Sequence, residues 1–351
     1  MKSAKLPFIL QALLAAVFFG ASTPLSKLLL GDVPPVLMAA FLYLGSGTGI
    51  TLIKALQKKK AEASLGRADL PWLAGAIISG GVAAPIVLMF SLKNTPASTA
   101  SLLLNFEGVG TTLIALLAFK EAIGGRAWAA ILAITLASIA LSTDFTSVNQ
   151  GWGLSLGALG VIGACVLWGL DNNFTRNISD KDPLAIVAWK GLLAGTFSLF
   201  LGLLLGNTIP PLLTVVAILL MGFVCYGLST ILFVQSMRGL GAARTSALYG
   251  TAPLAGVLLS IFIFGEIPSL LFGVAALLAV GGALLLINEK HAHFHIHALL
   301  THDHRHDHDD PSHAHHDTAQ DAHAEQHEHP AQEHEHDHSP DIHHRHGHND
   351  Q

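Results

Sequence analysis

Three charged side chains interrupt long apolar runs. Glu107 stands in Leu102-Leu103-Leu104-Asn105-Phe106-Glu107-Gly108. Asp171 stands in Trp168-Gly169-Leu170-Asp171-Asn172-Asn173, and Lys190 follows Trp189. A charge at the centre of a bilayer costs at least about 2.5–3.5 kcal/mol, so each of these groups needs a reason to be there. Glu107 has no obvious partner in the sequence. It can carry a coupling proton or anchor a substrate ammonium or a metal ion; alternatively, it is a protonated acid bonded to a neighbouring helix. Asp171 and Lys190 begin on opposite sides of one tight hairpin, at similar depth, so an ion pair between them is the structural alternative to a binding role. Such pairs are weak evidence of function, because desolvation offsets much of their attraction. Asn105, Asn172 and Asn173 add neutral hydrogen-bonding groups. Trp168 and Tyr249 add flat walls that can face a cation, and each of these can equally be packing.

A second chemistry is confined to the end of the chain. All 21 His lie between His291 and His348. They alternate with Asp and Glu, as at His302, His304, His306 and His308, at His334, His336 and His338, and at His343, His344, His346 and His348. Neutral imidazole with carboxylate suits Zn²⁺, Ni²⁺, Co²⁺ or Cu²⁺, and flexible His-x-His pairs can assemble tetrahedral sites. The alternative is a solubilising or pH-responsive tail, since imidazoles gain charge below about pH 6.5. No run longer than two His occurs, which is unlike a purification tag.

These groups are positioned by a body of unusual composition. The whole chain has 351 residues, 51% hydrophobic and only 12% charged, where a soluble domain carries about 25% charge. Residues 1–290 hold 17 Lys and Arg against 11 Asp and Glu, whereas residues 291–351 hold 2 against 13. A greasy, slightly basic body thus precedes a polar acidic tail whose low hydrophobicity predicts disorder. This composition excludes a soluble globular enzyme. Two cysteines, Cys165 and Cys225, both in apolar runs, exclude a disulfide scaffold and a zinc ribbon.

Ten apolar stretches are long enough, or nearly so, to cross about 30 Å of hydrocarbon as helices. They cover about 7–29, 34–56, 70–92, 97–119, 126–143, 153–176, 184–206, 212–235, 242–264 and 268–288. Pro24, Pro85 and Pro253 lie inside them and should kink or break them. Closely spaced glycines, such as Gly45, Gly47 and Gly49, let helix backbones approach one another. The N-terminal run continues to Leu30, longer than a typical leader, and is read as a retained first helix. Fourteen Lys and Arg fall on one set of connecting segments, and only Lys27 and Lys93 on the other. Such a bias places both termini, with the tail, in the cytoplasm of a plasma (inner) membrane protein.

The chain also resembles itself. At an offset of 145 residues Ala97 falls on Ala242, Ser101 on Ser246, Leu103 on Leu248, Phe119 on Phe264 and Glu121 on Glu266. Earlier, at 149, Gly20 falls on Gly169, Lys27 on Arg176 and Pro34 on Pro183. Five spans per half invert the second half relative to the first, an arrangement of secondary transporters. The expected organisation is a five-helix repeat over 1–146, a second over 147–290, and the tail over 291–351. The Ala-x-x-x-Ser-x-Leu openings at 97–103 and 242–248 and the Phe-x-Glu pairs ending at Glu121 and Glu266 resemble the drug/metabolite transporter superfamily, EamA type. The resemblance covers about residues 7–288. It implies an all-α, ten-helix permease, not an enzyme, that moves small metabolites, amino acids or drugs, often outward. Glu121 and Glu266 match the family's acidic position at a helix–loop boundary and are read as structural. The alternatives are a Zn, Ni or Co exporter fed by the tail, and a membrane-tethered metal buffer or sensor. No phosphate-binding loop of the Gly-x-x-x-x-Gly-Lys-(Ser/Thr) kind is present, so gradients would drive transport. The expected partners are lipid, a small-molecule substrate and, through the tail, divalent metal ions, with no nucleic acid.

Overall fold

A computed structural model describes residues 6–56, 63–119, 125–144, 153–178, 181–240, 248–266 and 269–287, and parts of the tail backbone. The body is helical. Its elements are α1 Leu6–Leu29, α2 Pro35–Leu56, α3 Leu70–Ala76, α4 Ala84–Leu92, α5 Ala97–Leu103, α6 Phe106–Phe119, α7 Gly125–Ser142 and α8 Leu156–Arg176. There follow α9 Pro183–Leu204, α10 Leu212–Gly222, α11 Ser229–Leu240, α12 Ala252–Phe264 and α13 Leu270–Ile287.

Among the described residues six stretches are long and apolar enough to cross a membrane: Leu6–Leu29, Pro35–Leu56, Arg67–Leu92, Ala97–Ala118, Pro183–Leu204 and Leu212–Ser236. That is fewer than the ten expected, for physical reasons. The C-terminal half of α8 carries Asp171, Asn172, Asn173 and Arg176, which dilute its hydropathy. Apolar stretches at Trp128–Ala140, Ala252–Phe264 and Leu270–Leu285 are short, and residues 241–247, where the ninth run begins, lie outside the described residues.

The tail also departs from expectation. Its backbone forms two antiparallel ladders, His291–His297 with Gln332–His338 and Leu300–His306 with His323–His329. Alternation of His with carboxylates has the period of a strand, which composition alone does not register. A lone two-stranded ladder is at best marginally stable in water.

Residue placement is inverted relative to a soluble protein. Phe200, Phe262 and Leu277 are 61%, 85% and 77% exposed, while Ser22, Thr23 and Ser26 of α1 and Ser98 and Ser101 of α5 are buried. Without a hydrophobic drive between helices, small and hydroxylated side chains make the helix contacts. Ser229 donates to the Ala15 carbonyl (2.8 Å) and Ser236 to the Phe8 carbonyl (2.8 Å), tying α11 to α1. The most extensive packing joins α2 to α9, α7 to α13, α6 to α8 and α1 to α12, with α4 on α8 and α1 on α11. At the α1–α12 crossing Gly20 leaves room for the Ala252 carbonyl, and Gly256 meets the Gly20 carbonyl. Pro24, four residues on, has no N–H with which to bond that carbonyl.

Four irregularities interrupt the helices. Ile77–Ala83 and Phe223–Leu228 are π-helical. In the first, the Ala84 N–H bonds the Ser79 carbonyl; in the second, the Ser229 N–H bonds the Val224 carbonyl. Turns at 104–105 and 250–251 separate α5 from α6 and precede α12. At the first turn the Asn105 side chain donates to the Leu102 carbonyl (2.9 Å), and at the second Thr251 donates to the Leu248 carbonyl (2.7 Å).

Candidate functional site

The π-helical segment after α3 creates the first part of the site. With i→i+5 bonding, the Gly80 carbonyl would need the N–H of residue 85, which is Pro85 and has none. Tyr43 of α2 supplies a hydroxyl instead (2.6 Å), and Trp168 of α8 its indole N–H (3.1 Å). Any side chain at position 80 would collide with the Asp171 carboxylate. Asp171 is thereby held against the π-helical backbone. One of its oxygens accepts from Thr175 (3.0 Å), and the other is ion-paired with Lys190 of α9. Asp171 is buried, and Lys190 keeps slight exposure. The structure therefore brings together two of the candidate charges and neutralises them against each other.

The break at 104–105 creates the second part. It gives α6 an N-terminus inside the apolar run, and Glu107 lies in that helix's first turn. An anion is favoured there by the helix dipole. Asn172 of α8 donates to Glu107 Oε1 (2.9 Å) and to the Thr111 hydroxyl (3.1 Å). Thr111 donates in turn to the Glu107 carbonyl (2.8 Å), and Asn173 donates to the carbonyls of Thr111 (3.0 Å) and Gly169 (2.8 Å). Glu107 is half-buried and Asn172 exposed. Among the described residues no cation pairs with it; Lys190 is within electrostatic range but is already bound to Asp171.

A chain of rings completes the surroundings. Phe19 meets Tyr249 with ring centres 5.7 Å apart and Tyr226 edge-on at 5.9 Å; Phe233 meets Tyr249 at 4.8 Å, and Tyr43 meets Tyr226 at 5.7 Å. The hydroxyls of Tyr43, Tyr226 and Tyr249 all lie within electrostatic range of Glu107. α1, α2, α6, α8 and α11 thus converge on one region.

The candidate residues divide in three. Glu107, Asn172, Asn173 and Tyr249 belong to this network. Asp171, Lys190 and Trp168 brace the wall beside it. Asn105 is buried with its amide spent on the helix break. Thr111, Phe19, Tyr43, Tyr226 and Gly80 escape sequence reasoning; only the proline five residues after Gly80 signals its unpaired carbonyl. Glu121, His308, His343, His344, His346 and His348 lie outside the described residues, and of His302, His304, His306, His334, His336 and His338 the backbone alone is described. Among the described residues no group of three or more His, Cys, Asp or Glu is placed to hold a metal. A separate pocket of about 330 Å³ lies between α1 and α10. Its lining, which includes Leu25, Leu28, Met221 and Cys225, is wholly apolar and has no part in the polar network.

The model of the EamA-like transporter family matches this chain twice, over residues 6–143 and 155–288. An uncharacterized transporter of Methanothermobacter thermautotrophicus is 28% identical over 287 residues, spanning 78% of this chain and 83% of the relative. A solved crystal structure, 20% identical, superposes with a TM-score of 0.56 over 81% of this chain and 95% of its own, and shares the fold. The chain belongs to the EamA-like transporter family and is a multi-pass membrane protein.

Proposed function

We propose that this EamA-like chain is a ten-span secondary transporter built from two inverted five-helix halves. Five features support the two-half reading. The family model matches each half separately. The π-helical bonds Ala84–Ser79 and Ser229–Val224 recur at the 145-residue offset of the sequence repeat. Turns at 104–105 and 250–251 recur at nearly the same offset. Packing of α6 on α8 is matched by packing of α12 on α1, and that of α4 on α8 by that of α11 on α1. Inverted halves can exchange inward-open and outward-open shapes around one central site.

The observation that carries the transport site is Glu107. It is a half-buried carboxylate at an intramembrane helix N-terminus, without a cationic partner among the described residues, and within electrostatic range of Tyr43, Tyr226 and Tyr249. A carboxylate and aromatic faces together suit a substrate with an ammonium group, such as an amino acid or an amine drug. The same carboxylate can carry a proton in the opposite direction, so export coupled to proton entry follows without nucleotide hydrolysis. The tail adds divalent-metal binding at the cytoplasmic face, on the strength of its His content. Replacing Glu107 by Gln keeps the Asn172 hydrogen bond and removes the charge. Glu107→Gln should insert normally yet lose gradient-driven transport of ammonium substrates in proteoliposomes, while Glu121→Gln retains most of it. Unimpaired transport by Glu107→Gln across pH would make Glu107 a structural residue.

A further inference from the structure

At the end of the helices opposite the Asp171–Lys190 hairpin, the turn joining α4 to α5 is gripped from both halves. Glu266, just past α12, reaches across the chain to this turn. Its Oε1 accepts from the Ala97 N–H (3.0 Å) and its Oε2 from the Ser98 N–H (3.1 Å). These are N-terminal amides of α5 with no partner within their own helix. The reach depends on Gly265, which ends α12 with φ of 62°, a left-handed conformation that glycine adopts without strain and that turns the chain back. On the other side of the turn Lys27 of α1 donates to the Leu92 carbonyl (3.1 Å) and to the Thr95 carbonyl, closing the C-terminal end of α4. The charges of Lys27 and Glu266 attract each other across the turn. From α8, Gly157 presses against the Thr95 side chain and Gly160 against that of Ser91. The turn is thus clasped by Lys27 from its own half, and by Glu266 and α8 from the other.

We infer that Glu266, gripping the turn that Lys27 braces, forms a latch holding this membrane face of the transporter shut, and that the Glu266 bonds must release for that face to open. The inference rests on the two-half transporter reading: a path between halves opens only where contacts between them part. Several features distinguish the latch from ordinary packing. Both carboxylate oxygens are bound by the opposite half, and the two charges cap the facing ends of two successive helices, α4 and α5. Immediately beneath, the Ser101 side chain of α5 meets Gly256 of α12, buried, with its hydroxyl unpartnered among the described residues. Opening the latch would uncover Ser101 first. Loop charge assigns this face to the outside of the cell.

Ser101→Cys, with Cys165→Ala and Cys225→Ala, gives a reporter for this opening. The full chain is reconstituted in vesicles of both orientations and treated with a membrane-impermeant thiol reagent. Losing two charge-assisted hydrogen bonds should make the reporter in Glu266→Ala react about tenfold faster, equivalent to about 1.4 kcal/mol. The acceleration should occur only with reagent on the Glu266 side. Glu266→Gln, which retains one acceptor, and Lys27→Met should each accelerate labelling several-fold; they also serve if Glu266→Ala fails to insert. An unchanged rate in all folded variants overturns the latch, as does equal acceleration from both sides, which reports general loosening. Faster one-sided labelling in a chain that transports nothing would keep the latch and remove the transport reading. Unchanged labelling in a transporting chain would do the reverse.

Discussion

Changing Asp171 to Asn leaves the shape of the side chain intact, including an oxygen that can accept from Thr175 (3.0 Å). It removes the charge that Lys190 is bound to. The Asp171 side chain is 5% exposed and that of Lys190 19%. Breaking a buried pair by removing one partner costs about 3–5 kcal/mol, because the other charge is stranded. Lys190 retains a fifth of its exposure and a flexible stem that can reach for water, which puts Asp171→Asn at the low end, about 3 kcal/mol. Replacing a buried pair by neutral groups of similar volume is often neutral, so adding Lys190→Met should recover most of the loss. Lys190→Met alone strands the more deeply buried Asp171 and should cost about 3–5 kcal/mol, so the coupling between the two changes is about 5–8 kcal/mol. Equilibrium unfolding of the two single variants and the double variant in mixed micelles, with rising denaturing detergent, measures it as a double-mutant cycle. Gly80 remains unchanged throughout, because any side chain there would collide with residue 171. Additivity within about 0.5 kcal/mol would refute the reasoning, since independent sites behave that way.

Two further outcomes are expected. A cysteine at exposed Thr208 should react with an impermeant reagent in intact cells, and one at exposed Ser64 only after permeabilisation; the reverse pattern would invert the proposed orientation and move the tail outside. The full chain should bind several Zn²⁺ or Ni²⁺ ions at about pH 7.5 and lose them near pH 5.5. Imidazoles must be neutral to ligate and become charged as pH falls through about 6.5. Equilibrium dialysis should show this difference against a chain ending at Lys290, and equal binding by the two would count against a metal-binding tail.

The positions of the helices were legible because a spanning helix must satisfy its own backbone over about 20 apolar residues, and few other patterns do so. Their irregularities were legible only in part. Pro85 and Pro253 signal interruptions, and the structure places Pro253 in the first turn of α12, where a missing N–H is harmless, and Pro85 directly after the π-helical stretch, where its missing N–H leaves the Gly80 carbonyl to Tyr43 and Trp168. Pro24 stays within a continuous α1, and the carbonyl it leaves unbonded lies against Gly256 of another helix. That partner, 236 positions away, has no signature in the run around Pro24. The break at Asn105 has no proline, so Glu107 reads as mid-helix in the sequence and as a first-turn residue in the structure.

The same division runs through the site. Asp171 and Lys190 could be paired on paper because one short hairpin brings them to the same depth. Asn172 and Glu107 meet only because α6 packs on α8, a contact between halves that no local pattern encodes. Glu266 is the sharper case. Its place at a helix–loop boundary reads as that of a structural acid; the helix whose amides it caps lies in the other half, 168 and 169 residues away. The Gly80 carbonyl obeys the same logic, with Tyr43 donating from its own half and Trp168 from the opposite one. In a carrier whose halves part, the Tyr43 bond travels with α3 and α4 while the Trp168 bond must be exchanged for another. Under the proposed two-half reading, the polar groups that bridge the halves are the ones whose partners would change during transport, and their chemistry is local while their pairing is a property of the whole fold.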